Sequence, residues 1–401
     1  MTSDRLVVAG ADTHSLTHHI AVVDAATGEV LGDQQFPATI AGYCQVIDYV
    51  ARFGNVIRFG VEGTNSYGAG LTRHLRSADI EVREVIRPNR AARRLRGKSD
   101  PLDAVTAAQA ALADPELPTP KLGDGPVESI RTLTIVRDSA VKARATVLRQ
   151  IAMILVSAPA PLREQLNCLS QNKLLTTLAQ PHHGHPLDGV EQATTTALHH
   201  LAIRHRQLTA EIDEITSSLG ALVKSAAPAL LAAKGVGVVT AAQLLITVGD
   251  NPDRITSKAA FAALTGVSPI PASSGKTHRY RLNRGGDRRA NCAIHTIALV
   301  RWSSDERTKA YISKKQAEGK TKREALRCLK RHVANDIHRL ITNPPTVPTV
   351  DDLRPARHQR GWSLQHVADH FGVWPARISD IERGRRRDDT LADAYRTLLA
   401  A

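Results

Sequence analysis

The sequence predicts an α/β layer over residues 1–115 followed by a mainly helical remainder. Three observations carry this: short Val- and Ile-rich runs near the start, long helical apolar stripes after residue 126, and a proline-bounded helical module at the end. Strands are expected at 5–11, 18–24, 29–36, 56–61 and 80–86, with Thr27-Gly28 as a hairpin turn. Helical periodicity covers 41–53, 66–77 and 100–112. Three early strands followed by alternating helices and strands imply a mixed sheet.

Residues 126–225 read as long helices broken by Pro159, Pro161 and the loop at 181–189. Ile130, Leu133, Val136, Val141, Val147, Leu148 and Ile151 recur at helical spacing, as do Leu198, Leu201, Leu208, Ile212, Ile215 and Leu219. Such stripes must be buried against a partner helix, within the chain or in an oligomer. Residues 226–341 form a third region, opening on a helix, a Gly235-Val236-Gly237 turn and a second helix. Backbone N–H groups at such a turn can hold a phosphate, and a plain helix–helix turn is the alternative. A proline-rich linker occupies 342–352, and 353–401 is a separate helical module.

A length of 401 residues suits two to four domains. A formal net charge of +14 calls for a polyanionic partner, nucleic acid before acidic membrane. From Ser274 to Leu340, 18 Lys and Arg face 6 Asp and Glu, so +12 concentrates in one segment. A second basic run, Arg87 to Lys98 with Arg94 between, precedes a helix start. No apolar stretch reaches the ~18 residues of a membrane span and the start lacks a signal sequence, so a cytoplasmic, nucleoid-associated protein is expected. Cys44, Cys168, Cys292 and Cys328 stand singly, against a zinc ribbon or a disulfide framework. The His182-His183-Gly184-His185 cluster lies between prolines and reads as a solvated loop.

Four acids carry the candidate chemistry. Asp12 ends the run Leu6–Ala11, Glu62 ends Val56–Val61, and Asp100 and Asp103 sit three apart at a helix start. Taken singly each has a plainer role: a strand-end turn, a loop opening, or an N-cap followed by Pro101. Together, two strand ends and one helix start can bring four carboxylates to one place, where they repel unless cations lie between them. Two Mg²⁺ ions roughly 3.5–4 Å apart would neutralise them and clamp a phosphodiester for in-line attack.

The stretches Gly10-Ala11-Asp12-Thr13-His14, Val61-Glu62-Gly63-Thr64-Asn65-Ser66-Tyr67-Gly68 and Lys98-Ser99-Asp100-Pro101-Leu102-Asp103-Ala104 lie in one order. With them come Gly235-x-Gly237 before Thr240-Ala241, Phe261-Ala262-Ala263-Leu264-Thr265-Gly266-Val267-Ser268-Pro269, and Ser274-Gly275. From about residue 5 to 341 this combination resembles the DEDD-type insertion-sequence transposases, RNA-guided serine recombinases. The resemblance implies an RNase H/RuvC-like N-terminal domain, a coiled-coil connector and a C-terminal transposase domain. It implies that Asp12, Glu62, Asp100 and Asp103 bind Mg²⁺ and that Ser274, rather than Ser273, is the nucleophile. It also implies donor and target duplex DNA, a guide RNA, and a homodimer or homotetramer. Lys234 stands where the family usually has proline, and Arg284-Gly285-Gly286-Asp287-Arg288-Arg289 follows its basic glycine segment loosely. Arg94, Lys98, Gly235, Gly237, Lys276, Arg279, Arg281 and Arg284 are the candidate nucleic-acid contacts in this part.

The family does not usually carry the last module. Gly361 to Ala368, Phe371-Gly372-Val373 and Ile378 to Gly384 resemble a repressor-type helix-turn-helix, with Val367, Ala368, Val373, Ile378 and Ile381 as core. The resemblance implies that Trp374, Arg377 and Asp380 face DNA and that Arg386 meets phosphate. A packing module for dimerisation is the alternative. Two other functions compete with a recombinase. An actin-like ATPase or sugar kinase would need a second α/β domain, which the helical, basic remainder does not offer. A DNA-binding regulator without cleavage would not need four acids and Ser274.

Overall fold

The computed structural model describes residues 5–85, 99–180, 189–272, 275, 280–281, 283–384 and 387–401. The N-terminal part is a five-stranded sheet in the order β3-β2-β1-β4-β5. Its strands are β1 (Leu6–Thr13), β2 (Thr17–Asp24), β3 (Val30–Pro37), β4 (Asn55–Glu62) and β5 (Val82–Val85). β1, β2 and β3 pair antiparallel. Asp24 turns the second hairpin, accepting the N–H groups of Ala26 and Thr27 while Gly28 takes a positive φ. β4 and β5 run parallel to β1, which requires the crossovers supplied by α1 (Ile40–Ala51) and α2 (Ala69–Ser77). This mixed order agrees with the expected RNase H-like fold.

Side chains alternate across β1, and both faces are covered. Val7, Ala9 and Ala11 pack with Val46, Val50, Leu71 and Leu75 of α1 and α2. Val8 and Val23 pack instead on Ala108 and Ala111 of α3 (Asp100–Ala113). The even positions of β1 therefore face α3, and so do Gly60 and Glu62 of β4, since Phe59 and Val61 point the other way.

Gly10 and Gly60 are cross-strand partners, and their missing side chains set how close α3 lies. A Cβ on Gly10 would sit 2.1 Å from the Ala108 nitrogen and 2.3 Å from the Ala104 oxygen; one on Gly60 would sit 2.4 Å from the Ala107 oxygen. The alanines of α3 complete a backbone-to-backbone contact, and Arg58 donates to the Ala111 carbonyl at 3.1 Å to hold the helix end. Gly10→Ala should cost about 1–3 kcal/mol by overpacking, measured as a lowered unfolding midpoint. A midpoint equal to the parent's would refute the close contact.

Beyond the sheet, α4 (Pro126–Ser157) and α7 (Val190–Ala226) form an antiparallel pair. Arg137 donates to Thr216 and Arg144 to Thr209, so positions descend in α7 as they rise in α4. At one end they enclose α5 (Ala160–Asn167) and α6 (Gln171–Leu178) around Val147, Ile151, Leu155 and Leu198. Val136, assigned to the buried stripe from its spacing, is 44% exposed. The seam drifts around a 32-residue helix, so 136 has left the contact face.

At the other end, Val127, Ile130, Leu219 and Val223 join the largest core. That core is built by α8 (Pro228–Ala232), α9 (Val238–Val248), α10 (Lys258–Leu264), α11 (Arg288–Ser304), α12 (Glu306–Ala317) and α13 (Lys322–Thr342). A short hairpin, β6 (Ile270–Pro271) with β7 (Tyr280–Arg281), projects from it.

Residues 353–401 form four helices, α14 (Leu353–Gln359), α15 (Leu364–Phe371), α16 (Pro375–Glu382) and α17 (Asp389–Ala400), around Leu353, Val367, Ala368, Ile378, Ile381 and Tyr395. Val373 packs against this core. Gly372 closes α15 in the left-handed conformation, and Pro375 opens α16. Within the core, Arg357 donates to both carboxylate oxygens of Glu382 at 2.6 and 3.0 Å and to the Trp362 carbonyl, while Tyr395 donates to Glu382 at 2.8 Å.

Candidate functional site

Asp12, Asp100 and Asp103 come together at one end of the sheet, on the face covered by α3, and Glu62 leaves the neighbouring strand on that same face. Asp12 is the last but one residue of β1 and Glu62 the last of β4, and their neighbours Ala11 and Val61 are paired. Adjacent strands lie about 4.8 Å apart, so the two acidic side chains leave the same face of neighbouring strands. The Thr13 hydroxyl donates to the Glu62 carbonyl at 2.9 Å and ties the two strand ends together. Asp100 and Asp103 occupy the first turn of α3, where Pro101 fits and acids suit the helix dipole.

Asp12 and Asp103 are each 6% exposed and Glu62 is 9% exposed; Asp100 lies at the rim. Burial raises the Asp12 carboxyl above its ordinary pKa, His14 opposes this, and the charges of Asp103 and Asp100 add to it. The carboxylates of β1 and α3 thus act on one another, the electrostatic situation in which a bound cation is stabilising.

His14 joins them. Its Nε2 lies 3.2 Å from Asp12 Oδ2 and 3.4 Å from Asp100 Oδ1. Donor atoms of Asp12, His14 and Asp100 all fall within 4.8 Å of one another, a spacing that one metal ion could span. Sequence reasoning did not single out His14. The available signal was its i+2 spacing from Asp12, which puts both side chains on one side of an extended segment.

Ser274, with Ser273, lies outside the described residues, as do Arg94, Lys98, Lys276, Arg279, Arg386 and the histidines of 182–185. Arg281 and Arg284 are exposed. At the Gly235 turn the expected phosphate cradle is altered. The Val236 N–H is taken by the Ala233 carbonyl at 3.1 Å and the Gly237 N–H by Thr240 Oγ1 at 3.0 Å. Gly235, at positive φ, packs on α11, whose Arg301 donates to the Lys234 carbonyl. Two of the donors needed by a phosphate are therefore spent on the corner itself. Lys234 pairs with Asp305 at 3.2 Å.

In the last module Trp374 is 84% exposed at the start of α16, and Asp380 is partly buried. Arg377, expected to face DNA, instead pairs with Asp388 at 2.5 Å. Asp388 caps α17 and lies beside α16, a placement that only tertiary folding creates.

A family model described as a transposase of the DEDD IS110 type matches residues 9–158, and one for the IS116/IS110/IS902 transposase family matches 227–313. An uncharacterised protein of insertion element IS110 from Streptomyces coelicolor is 34% identical over 35% of this chain and 32% of its own length. An uncharacterised IS900 protein from Mycobacterium paratuberculosis is 30% identical over 26% of this chain and 27% of its own. The chain thus aligns with about a third or less of these two relatives. A mini-circle protein from Streptomyces coelicolor, named as the candidate transposase for IS117, is 26% identical over 69% of this chain and 80% of its own. No helix among the described residues is long and apolar enough to cross a membrane. With both transposase models matched in order along it, the chain belongs to the DEDD-type insertion-sequence transposase family.

Proposed function

We propose that this protein is the transposase of an insertion sequence, cutting and rejoining double-stranded DNA at its carboxylate cluster. The observation that carries the reading is the convergence of Asp12, Asp103 and Asp100 at the sheet end, on the face shared by Glu62. Oxygen donors in this number suit Mg²⁺, and Asp12, Glu62, Asp100 and Asp103 would hold it, two ions being expected. Bound metal would supply charge neutralisation and activation of the attacking oxygen. His14 would orient Asp12 and Asp100 through its Nε2.

In this reading Ser274 attacks the phosphorus of a DNA strand. The serine–phosphate bond forms as the strand's phosphodiester breaks, and the departing strand keeps a free hydroxyl. Attack by a hydroxyl of another strand reverses the step, so joining needs no nucleotide hydrolysis. Donor and target duplexes, a guide RNA encoded by the element, and a dimer or tetramer of this chain complete the proposal. The 353–401 module serves as a helix-turn-helix that reads duplex DNA with Trp374 and Asp380, and Arg377 reaches a base by leaving Asp388. A regulator without cleavage is disfavoured because it has no use for Asp12, Asp100 and Asp103 gathered at one end of the sheet.

The test is covalent trapping by the full-length protein on a nicked element-end duplex with Mg²⁺. A protein–DNA adduct should form with the parent and with Ser273→Ala and be lost with Ser274→Ala. An adduct that persists in Ser274→Ala would remove the serine assignment.

A further inference from the structure

A groove of about 1140 Å³ runs between the β6–β7 hairpin, α12 and α13, far in sequence from the acids. Its volume exceeds the ~300–1,000 Å³ of an ordinary small-molecule pocket. Two kinds of surface meet in it. Val267, Pro269 and two tyrosines make an apolar and aromatic wall. Tyr280 is 67% exposed, and Tyr311 is braced edge-on by His332 at 5.1 Å.

The second surface is cationic. Arg281, Lys320, Arg327 and Arg331 line the groove and make no ion pair with a described residue. Lys315 is already paired with Glu318 at 2.7 Å, and its ammonium lies 5.8 Å from the centre of the Tyr311 ring. The groove's carboxylate, Glu324, is turned into the capping box of α13, where it accepts from Thr321. Lys330 stands partly buried with the neutral Asn291 Oδ1 as its acceptor at 2.6 Å, and burial lowers its pKa. A cation so placed gains from an incoming phosphate, which would supply the counter-charge the site lacks.

Resting on the nucleic-acid reading above, we infer that this groove binds an unpaired nucleic-acid strand, with bases on Tyr280 and Tyr311 and phosphates on Arg327, Arg331 and Lys330. Aromatic faces beside a basic track are what a single strand engages, because its bases offer free π-faces. A duplex hides those faces in its stack and would leave the apolar wall unused. The strand is either RNA or locally opened DNA; both present the same phosphates and base faces.

The test measures binding of the full-length protein to 12-nucleotide oligo(dT), 12-nucleotide oligo(U) and a blunt duplex by fluorescence anisotropy. Tyr280→Ala and Arg327→Ala should each weaken single-strand binding about ten-fold and change duplex binding less than two-fold. A tighter hold on oligo(U) assigns the groove to RNA, and on oligo(dT) to opened DNA. Unchanged single-strand binding in both variants overturns the groove while leaving the recombinase reading intact. Equal weakening on the duplex overturns it in favour of a plain backbone grip, and competition by polyglutamate as strong as by oligo(dT) overturns it in favour of an acidic peptide. Failure of the parent to bind any of the three nucleic acids would instead defeat the nucleic-acid reading itself.

Discussion

Asp103→Asn should abolish DNA strand cleavage, a loss of at least about 10³-fold, while leaving the unfolding midpoint within a few degrees of the parent. Asp103 is 6% exposed in the first turn of α3, and its charge acts on Asp12. The amide keeps the shape and a single carbonyl oxygen but removes the charge that a divalent ion needs. Removing one of several buried acids also relieves repulsion on Asp12, which Asp103 raises. The fold should therefore hold as activity disappears. Cleavage of a plasmid carrying the element ends, followed beside a thermal melt, separates the two effects. Full cleavage by Asp103→Asn would end the carboxylate-site argument, and a collapsed melt would reassign the residue to the fold.

Glu382→Ala should destabilise the 353–401 module by about 3–5 kcal/mol, because it leaves Arg357 buried without its counter-charge. Arg357 is 5% exposed and Glu382 7%, so water cannot take over the lost bonds. Tyr395 loses its acceptor as well; its hydroxyl pKa, raised by burial and by the bond to Glu382, would shift back. Trp362 and Trp374 make the module's unfolding visible by fluorescence in the full chain. Arg357→Met combined with Glu382→Leu should recover most of the loss, since an apolar pair of similar volume removes the stranded charge. A Glu382→Ala loss below about 1 kcal/mol would show that the pair is solvated in solution.

Local patterns were legible and long-range partners were not. The Val- and Ile-rich runs marked β1 and β4 as strands ending at Asp12 and Glu62, whereas the faces they bury are set by the helices that dock on them. The helix expected from residue 66 begins at Ala69, because Gly63 at positive φ starts a tight turn that accepts N–H groups from Ser66 and Gly68. His14 escaped notice because its second neighbour, Asp100, reaches it only when α3 docks. Arg377 looked free to face DNA because Asp388, eleven residues on, had no visible reason to approach. The groove around Tyr280 and Arg327 joins residues 267–269 and 280–281 to residues of 311–332, and no periodicity in either part foretells the other.

The paired glycines of β1 and β4 have a consequence for how decayed copies of such an element would be recognised. The acids of α3 hang from a helix whose distance from the sheet is set by two absent side chains. Most single-base changes in a glycine codon install a side chain, and at position 10 even one methyl group meets backbone at 2.1 Å. A copy carrying Ala or Val there keeps Asp12, Glu62, Asp100 and Asp103 in its reading frame while displacing half of them from the other half. An inventory of acids would score that copy as active; the two glycines must be read beside them to tell a working gene from a silent relic.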